Sequence, residues 1–382
     1  MKDNPIAEQH IREVLSHFTL EGSIAGISSY GSGHIHDTYF VKNSKAACPN
    51  YLLQRINHNV FRNVPLLMEN IEQVTQHLRK KLAKIPGASP EKEVLTLVPT
   101  YGKQSFYCDI NGNYWRVYFL LEGTRSYDLV GSPQQAYEGG KAFGRFLALL
   151  SDLDIDKLHE SIPDFHNIEN RLRLFKEAMQ KNPLGRAEQA REEIAFAQQR
   201  AEEMSTICRM GREGRLPLRV THNDTKFNNV LLDRFDKAQC VIDLDTVMPG
   251  YVAYDFGDAI RTTVNKAAED ERELDKIGIN FEFFNAFTEG FLLETSSILT
   301  DEEIASLSLG VTLLPFIMGL RFLTDYIDGD NYYKTQFPEH NLQRARAQFR
   351  LVQVLEENRE LLQSTIERAT ASYKTPLEDH QV

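Results

Sequence analysis

The feature that most constrains the fold is a change of hydrophobic period part-way along the chain. Between residues 24 and 121 the apolar residues come in short alternating runs, "SIAGISSYGSGHIHDTYFVKN", "YLLQRI", "VLTLVPT", "QSFYCDI" and "YWRVYFLLEG", the period-2 pattern of strands. One helical stripe interrupts them, with Pro65 in its first turn and Leu67, Ile71, Val74 and Leu78 on one face up to Leu82. The triplet "NGN" at 111–113 marks a hairpin. From about Gly123 the pattern changes to long helices, as in "SPQQAYEGGKAFGRFLALLSDL" and "GRAEQAREEIAFAQQRAEEMSTIC". A chain of 382 residues exceeds what a single core usually serves. The expectation is therefore a two-lobed α+β protein, with a strand-rich lobe over 1–121 and a larger helical lobe over 122–382.

Charge and composition remove several classes of function. A formal net charge of -11 argues against a nucleic-acid or anionic-membrane surface, so an anionic ligand needs local cations or a metal. The amino terminus "MKDNPIAEQHIREVLSHFTL" has acidic residues throughout and lacks the basic-then-apolar order of a signal peptide. The longest apolar run, "LGVTLLPFIMGL" at 309–320, is short of the ~18 residues of a membrane span and contains Pro315, which reads as a buried helix. Cys48, Cys108, Cys208 and Cys240 have no CxxC spacing, which predicts neither a disulfide framework nor a zinc site and fits a reducing, cytoplasmic compartment.

The helical part is broken once, by the strand-like pair "LRVTHND" and "NNVLLD...AQCVIDLDTV" at 218–247. Between these apolar runs stand His222, Asn223, Asp224, Lys226, Asn228 and Asn229, a set that would also suit a plain polar turn. The spacing goes further: Asp224, four residues, Asn229, an apolar strand, then Asp243. A carboxylate and a carboxamide on one loop can face a common centre, one toward an attacking hydroxyl and the other toward a cation. Phosphoryl transfer needs that arrangement, because the protein's task is to position the nucleophile and offset charge on the transferred group. Hard oxygen ligands such as Asn229 and Asp243 suit Mg2+.

"THNDTKFNNVLLD...VIDLDTVMPG" resembles the His-x-Asp-x4-Asn and Ile-Asp-x-[Asp/Glu] pair of the aminoglycoside phosphotransferase and choline kinase branch of the protein-kinase-like fold. Within that branch the likeness is to kinases acting on the anomeric hydroxyl of N-acetylhexosamines, and it extends to "GSGHIHDTYFV", "YDFGDAIR" and "RFLTDYIDGD". The resemblance implies a two-lobed enzyme using ATP and Mg2+, with nucleotide between the lobes and a small sugar as acceptor. It makes Asp224 the catalytic base, Asn229 a metal ligand and Asp243 the principal one, with Asp245 assisting if the strand continues. The literal triplet Asp255-Phe256-Gly257 is a decoy. Magnesium should be held on the strand just after the catalytic loop, and Asp255 lies beyond the Pro249-Gly250 break. Asp255 and Asp258 then become helix-start or loop-bracing carboxylates.

Other segments follow from the same resemblance. Gly31, Ser32 and Gly33 form a hairpin tip where backbone can approach phosphates, although His36 replaces a third glycine. His34 and His36 are open between a solvated turn, a metal and a sugar contact. Arg55 stands where a phosphate-gripping lysine is expected and keeps the charge, with Glu69 favoured over Glu72 as its helix partner. Backbone groups of Leu120, Leu121 and Glu122 form a hinge that would meet adenine. Arg321 on an apolar helix calls for a partner, for which Asp325 at i+4 is the obvious choice. In the resembled kinases this region lines the sugar pocket, which makes Arg321 and Tyr332 substrate candidates. The rivals are the same catalysis on an aminoglycoside, choline, homoserine or methylthioribose, and a non-catalytic nucleotide-binding relative. The second predicts loss of the base or metal ligands, yet Asp224, Asn229 and Asp243 are all present.

Overall fold

Alternation in the first part of the chain becomes an antiparallel sheet of five strands among the described residues, in the order β1-β2-β3-β5-β4. The strands are β1 (Ile24–Ser29), β2 (Asp37–Asn43), β3 (Tyr51–Ile56), β4 (Tyr107–Cys108) and β5 (Tyr114–Phe119). The computed structural model describes residues 8–31 and 35–374. It divides into two compact units, the first running to Thr124 and taking in Asp156–Ile162 and Gln239–Val247, the second formed by Arg125–Ile155, Pro163–Ala238 and the chain from Met248 onward.

In the first unit the inward residues Val41, Tyr51, Leu53, Trp115 and Val117 bury against Ile11, Val14 and Leu15 of an N-terminal helix. The Val64–Leu82 helix begins where its signals place it: Asn63 caps it by accepting the Leu66 amide, and Pro65 occupies the first turn, where no amide is needed. "VLTLVPT" differs from expectation. It follows β5 through Val98 N–H to Val117 O and Phe119 N–H to Thr96 O but forms no regular strand. Pro99 supplies no donor, and Arg79 takes the carbonyls of Val94 and Leu95. The "NGN" turn is present, with Asp109 accepting the amides of Asn111 and Asn113 and Gly112 at φ 78°.

The second unit is built around the Asp301–Asp328 helix, which starts in a Thr300/Glu303 capping box and ends at left-handed Gly329. By length and composition it is the one helix, among the described residues, that could cross a membrane, but 78% of its apolar window is buried inside the protein. It serves as the core helix, touching Phe175, Ala253, Tyr254 and Phe349 among others. Its crossing with the Val252–Thr263 helix is close enough to require glycine on both sides. A Cβ on Gly310 would stand 2.0 Å from the Ala253 carbonyl oxygen, and one on Gly257 2.2 Å from that of Gly310. Gly310→Ala is therefore expected to cost about 1–3 kcal/mol through overpacking. An unchanged denaturation midpoint would contradict that contact.

Candidate active site

In the second unit a short strand, Arg219–Thr221, pairs antiparallel with Met248–Gly250 and delivers the polar loop. His222 is fully buried, edge-on to Phe143 and Phe146 at 5.7 and 5.6 Å. Asn223 adopts φ 62°, a left-handed conformation Asn tolerates, and its Nδ2 bonds to the Thr221 carbonyl. Asp255, from the Val252–Thr263 helix, accepts the backbone amides of His222 at 2.8 Å and Asn223 at 2.7 Å, while its carbonyl accepts Thr225 Oγ1. The literal triplet's carboxylate is thus a loop brace, as its position beyond the Pro-Gly break implied. Asp258 is likewise structural, joined to Arg261 at 2.8 Å.

That brace leaves Asp224 at the loop's tip with its side chain 22% exposed. Its Oδ2 accepts from Asn229 Nδ2 at 3.2 Å and meets Lys226 Nζ at 3.2 Å. Among the described residues nothing bonds to Oδ1, so one oxygen faces outward with the other fixed. Asn229 also donates to the Asp224 carbonyl at 2.8 Å, so both its amide contacts orient Oδ1 as its remaining acceptor. Lys226, open from sequence, is an ion-pair partner of Asp224.

Burial pushes the Asp255 carboxyl up to about 6, opposed by His222 and by the two amide bonds. A folded value above the ~3.9 of an unfolded aspartate means this group's contribution to stability is largest below about pH 4 and is lost as pH rises through about 6. Function should move the other way, because only the ionised form accepts both amides fully. Between about pH 5 and 7, kcat should rise and the Asp255 share of stability should fall. The wild-type profile minus that of Asp255→Asn, in kcat and in unfolding free energy, separates the two; parallel movement of both would contradict the brace.

In the first unit the strand ends at Val241 and does not continue through Asp243. Asp243 takes a left-handed conformation, φ 63°, and opens a 3-10 turn over Leu244–Thr246. The turn leaves Asp243 exposed and sends Asp245 inward, 2% exposed. There both Asp245 oxygens meet the Arg116 guanidinium, at 2.7 and 2.6 Å, and Arg116 Nε donates to Gln54 Oε1 at 2.9 Å. Burial alone would favour the neutral forms, but the pairing overcomes it: Arg116 is held above, and Asp245 below, its ordinary range. Sequence reasoning missed Arg116. Its signal is a charged residue inside the buried run "YWRVYF".

His36, Asp243 and Asp245 each bring one ligand atom within 4.8 Å of the others. His36 and Asp245 have strong partners of their own. His36 Nδ1 accepts the Asn57 amide at 3.1 Å, so Nε2 carries the proton and points to Asp245 Oδ2, 3.5 Å away. Asp245 is spent on Arg116, which replaces its expected help with a metal. The exposed carboxylate of Asp243 is the group suited to a hard cation that keeps waters and phosphate oxygens in its shell.

The Arg55–Glu69 pair does not form. In the β2–β3 register Asp37 lies directly opposite Arg55, and Arg55 Nε bonds to it at 2.7 Å. Glu69 instead meets His159 at 3.1 Å. Gly31 has φ 77°, which favours glycine; Ser32, Gly33 and His34 lie outside the described residues. In the hinge the Leu120 amide bonds to Asn50 O, Glu122 Oε1 accepts from Asn50 Nδ2, and the Leu121 carbonyl accepts Thr124 Oγ1. Leu120 has therefore already used its donor.

Arg321 and Asp325 do not pair either. Asp325 accepts the amides of Asn331, Tyr332 and Tyr333 and Asn341 Nδ2, all at 2.8 to 2.9 Å, and so ties down the turn after the core helix. Arg321 is left among rings, its guanidinium carbon 5.6 Å from Phe165, 5.7 Å from Tyr332 and 5.5 Å from Tyr333. It makes no ion pair among the described residues. Trp115, the chain's single tryptophan, is fully buried in the first unit's core and so builds no exposed aromatic cage.

Residues 26–285 match the family described as the phosphotransferase enzyme family, which is more than half of the chain. Among solved structures, amicoumacin kinase hAmiN in complex with AMP-PNP, Ca2+ and Ami is similar with a TM-score of 0.60 at 13% identity, covering 90% of this chain and 93% of that one. A microcompartment-associated aminopropanol kinase gives 0.57 at 13% identity over 93% and 98% of the two chains. Choline kinase from Cryptosporidium parvum Iowa II gives 0.57 at 13% identity over 96% and 100%. At these identities the likeness is one of fold.

Proposed function

We propose, on the footing that this chain belongs to the phosphotransferase enzyme family, that it is an ATP-dependent kinase of a small sugar, transferring the γ-phosphoryl group to the anomeric hydroxyl of an N-acetylhexosamine. The observation that carries the phosphotransferase chemistry is the state of Asp224: one oxygen held by Lys226 and Asn229, the other outward, on a loop fixed by Asp255. A carboxylate so placed orients an attacking hydroxyl and takes its proton as the new O–P bond forms and the bond to the leaving ADP breaks. Catalysis of this kind is mostly positioning and electrostatics. Solved structures of similar fold support nucleotide use, since one of them holds AMP-PNP. Mg2+, when bound, would offset phosphate charge, and the exposed Asp243 carboxylate of the first unit is the group that would hold it. Gly31, Arg55 and the Leu120–Glu122 segment remain proposals for the nucleotide.

The sugar reading rests on the sequence resemblance and on Arg321. A guanidinium with no ion-pair partner among the described residues, flanked by Tyr332 and Tyr333, suits a polar, uncharged acceptor. A polycationic aminoglycoside or a quaternary ammonium would meet like charge there. The test is ADP release from Mg2+-ATP over a panel of N-acetylglucosamine, N-acetylgalactosamine, glucose, choline and an aminoglycoside. Stimulation by the acetamido sugars is expected. Retained ATP binding without turnover of any acceptor would sink the enzyme reading, and turnover of choline or the aminoglycoside alone would move the chain to another acceptor.

A further inference from the structure

Among the buried polar atoms of the second unit that have no partner among the described residues are three that lie in one interacting group, on His166, Arg171 and Tyr333, and His166 joins that group to the loop of the proposed base. His166, 6% exposed, donates from Nε2 to the Asn223 carbonyl at 2.8 Å, one residue before Asp224. With the proton on Nε2, Nδ1 presents a bare lone pair, and nothing among the described residues bonds to it. Arg171, on the Ile168–Lys181 helix, donates from Nη2 to the Phe165 carbonyl at 2.7 Å, but its Nε–H is buried and unmatched. The Tyr333 hydroxyl is buried and unmatched as well. Arg321 stands over the rings of both Phe165 and Tyr333.

These groups act on one another. Arg171 is drawn down to about 10 by burial and then by the positive charge of Arg321. Burial lowers His166 to about 4, with Asp258 and the Asn223 carbonyl opposing, and the two arginines add to the drop, so it is neutral at pH 7. Leaving a buried donor or acceptor unsatisfied is costly, and this one group carries three of them.

We propose that Arg171, His166 and Tyr333, with Arg321 behind them, form a subsite that reads an uncharged amide on the acceptor. The amide oxygen accepts from Arg171 Nε–H and the Tyr333 hydroxyl, and the amide N–H donates to His166 Nδ1. No other common substituent supplies both halves. An ammonium meets two guanidiniums, a carboxylate turns negative charge toward the His166 lone pair, and a hydroxyl spans fewer of the three atoms. The inference rests on the sugar-kinase reading and names the residues that would distinguish an acetamido sugar from its free amine.

Calorimetric binding to the full chain tests it without requiring turnover. N-acetylglucosamine should bind about 10²-fold or more tighter than glucosamine below about pH 7, where the amine is protonated, and tighter than glucose or glucuronate. Arg171→Lys, which keeps the charge and removes Nε–H, should cut the preference over glucose about tenfold, as should His166→Phe. Melting curves confirm that each variant is folded, and the wild-type preference needs no variant. Equal binding of glucosamine, tighter binding of glucuronate, or an unchanged preference in both folded variants would overturn the subsite. Phosphate transfer is scored separately. Transfer to both sugars without preference overturns the subsite and leaves the kinase; selective binding without transfer does the reverse.

Discussion

Asp224→Asn should lower kcat by about 10²–10⁴-fold, or about 3–5 kcal/mol in the barrier, which is the usual contribution of a positioned general base. Asparagine matches aspartate in size and keeps a carbonyl oxygen for Asn229 and Lys226, so the loop should hold its shape. Nucleotide affinity should change little, because the role proposed for Asp224 is on the acceptor hydroxyl. ADP release and nucleotide titration on the same preparation give both numbers. Turnover within a few-fold of wild type would remove Asp224 as the base. Asp243→Ala should behave in the opposite manner and lose metal-dependent nucleotide binding. If Asp255→Ala loses it and Asp243→Ala does not, the metal assignment is wrong.

The second large effect is on stability. Arg116 and Asp245 are 1% and 2% exposed and meet in two parallel bonds. Breaking such a pair from one side leaves a buried charge uncompensated, at a cost of about 3–5 kcal/mol. Arg116→Met should therefore destabilise the protein by about that much in urea. The double variant Arg116→Met/Asp245→Leu should recover most of the loss, because replacing both charges by apolar groups is often neutral. A single variant costing under about 1 kcal/mol would mean that the pair is not buried as described. Because Asp243 lies two residues from Asp245, the single variant should also weaken nucleotide binding in Mg2+ more than it weakens the acceptor.

How much of this was legible in the sequence depends on whether the partner is local. The loop from His222 to Asn229 could be read because its residues act on one another within a few positions, as Asn229 does on Asp224. The helix at Val64–Leu82 was legible for the same reason, with its first-turn proline beside its apolar stripe. Asp255 was legible as a brace only by exclusion; its actual partners, the amides of His222 and Asn223, are more than thirty residues away. Misreadings arose where a local pairing rule met a stronger distant or backbone competitor. Arg55 has a cross-strand aspartate directly opposite, and a register is not visible from one strand. Asp325 sits one turn from Arg321, but three backbone amides and an asparagine occupy it first. Arg116 escaped notice because its partner is 129 positions away. The cluster of His166, Arg171 and Tyr333 leaves no pattern in sequence at all, since unmatched atoms become evident only when everything around them is placed.

The central claim is phosphoryl transfer to an anomeric hydroxyl. It is tested most directly by incubating the protein with Mg2+-ATP and N-acetylglucosamine and following the phosphorus resonances. A new phosphomonoester signal coupled to the anomeric proton is expected, growing in step with ADP and absent with Asp224→Asn. A phosphoester on another hydroxyl, or ADP and inorganic phosphate with no sugar ester, would contradict it.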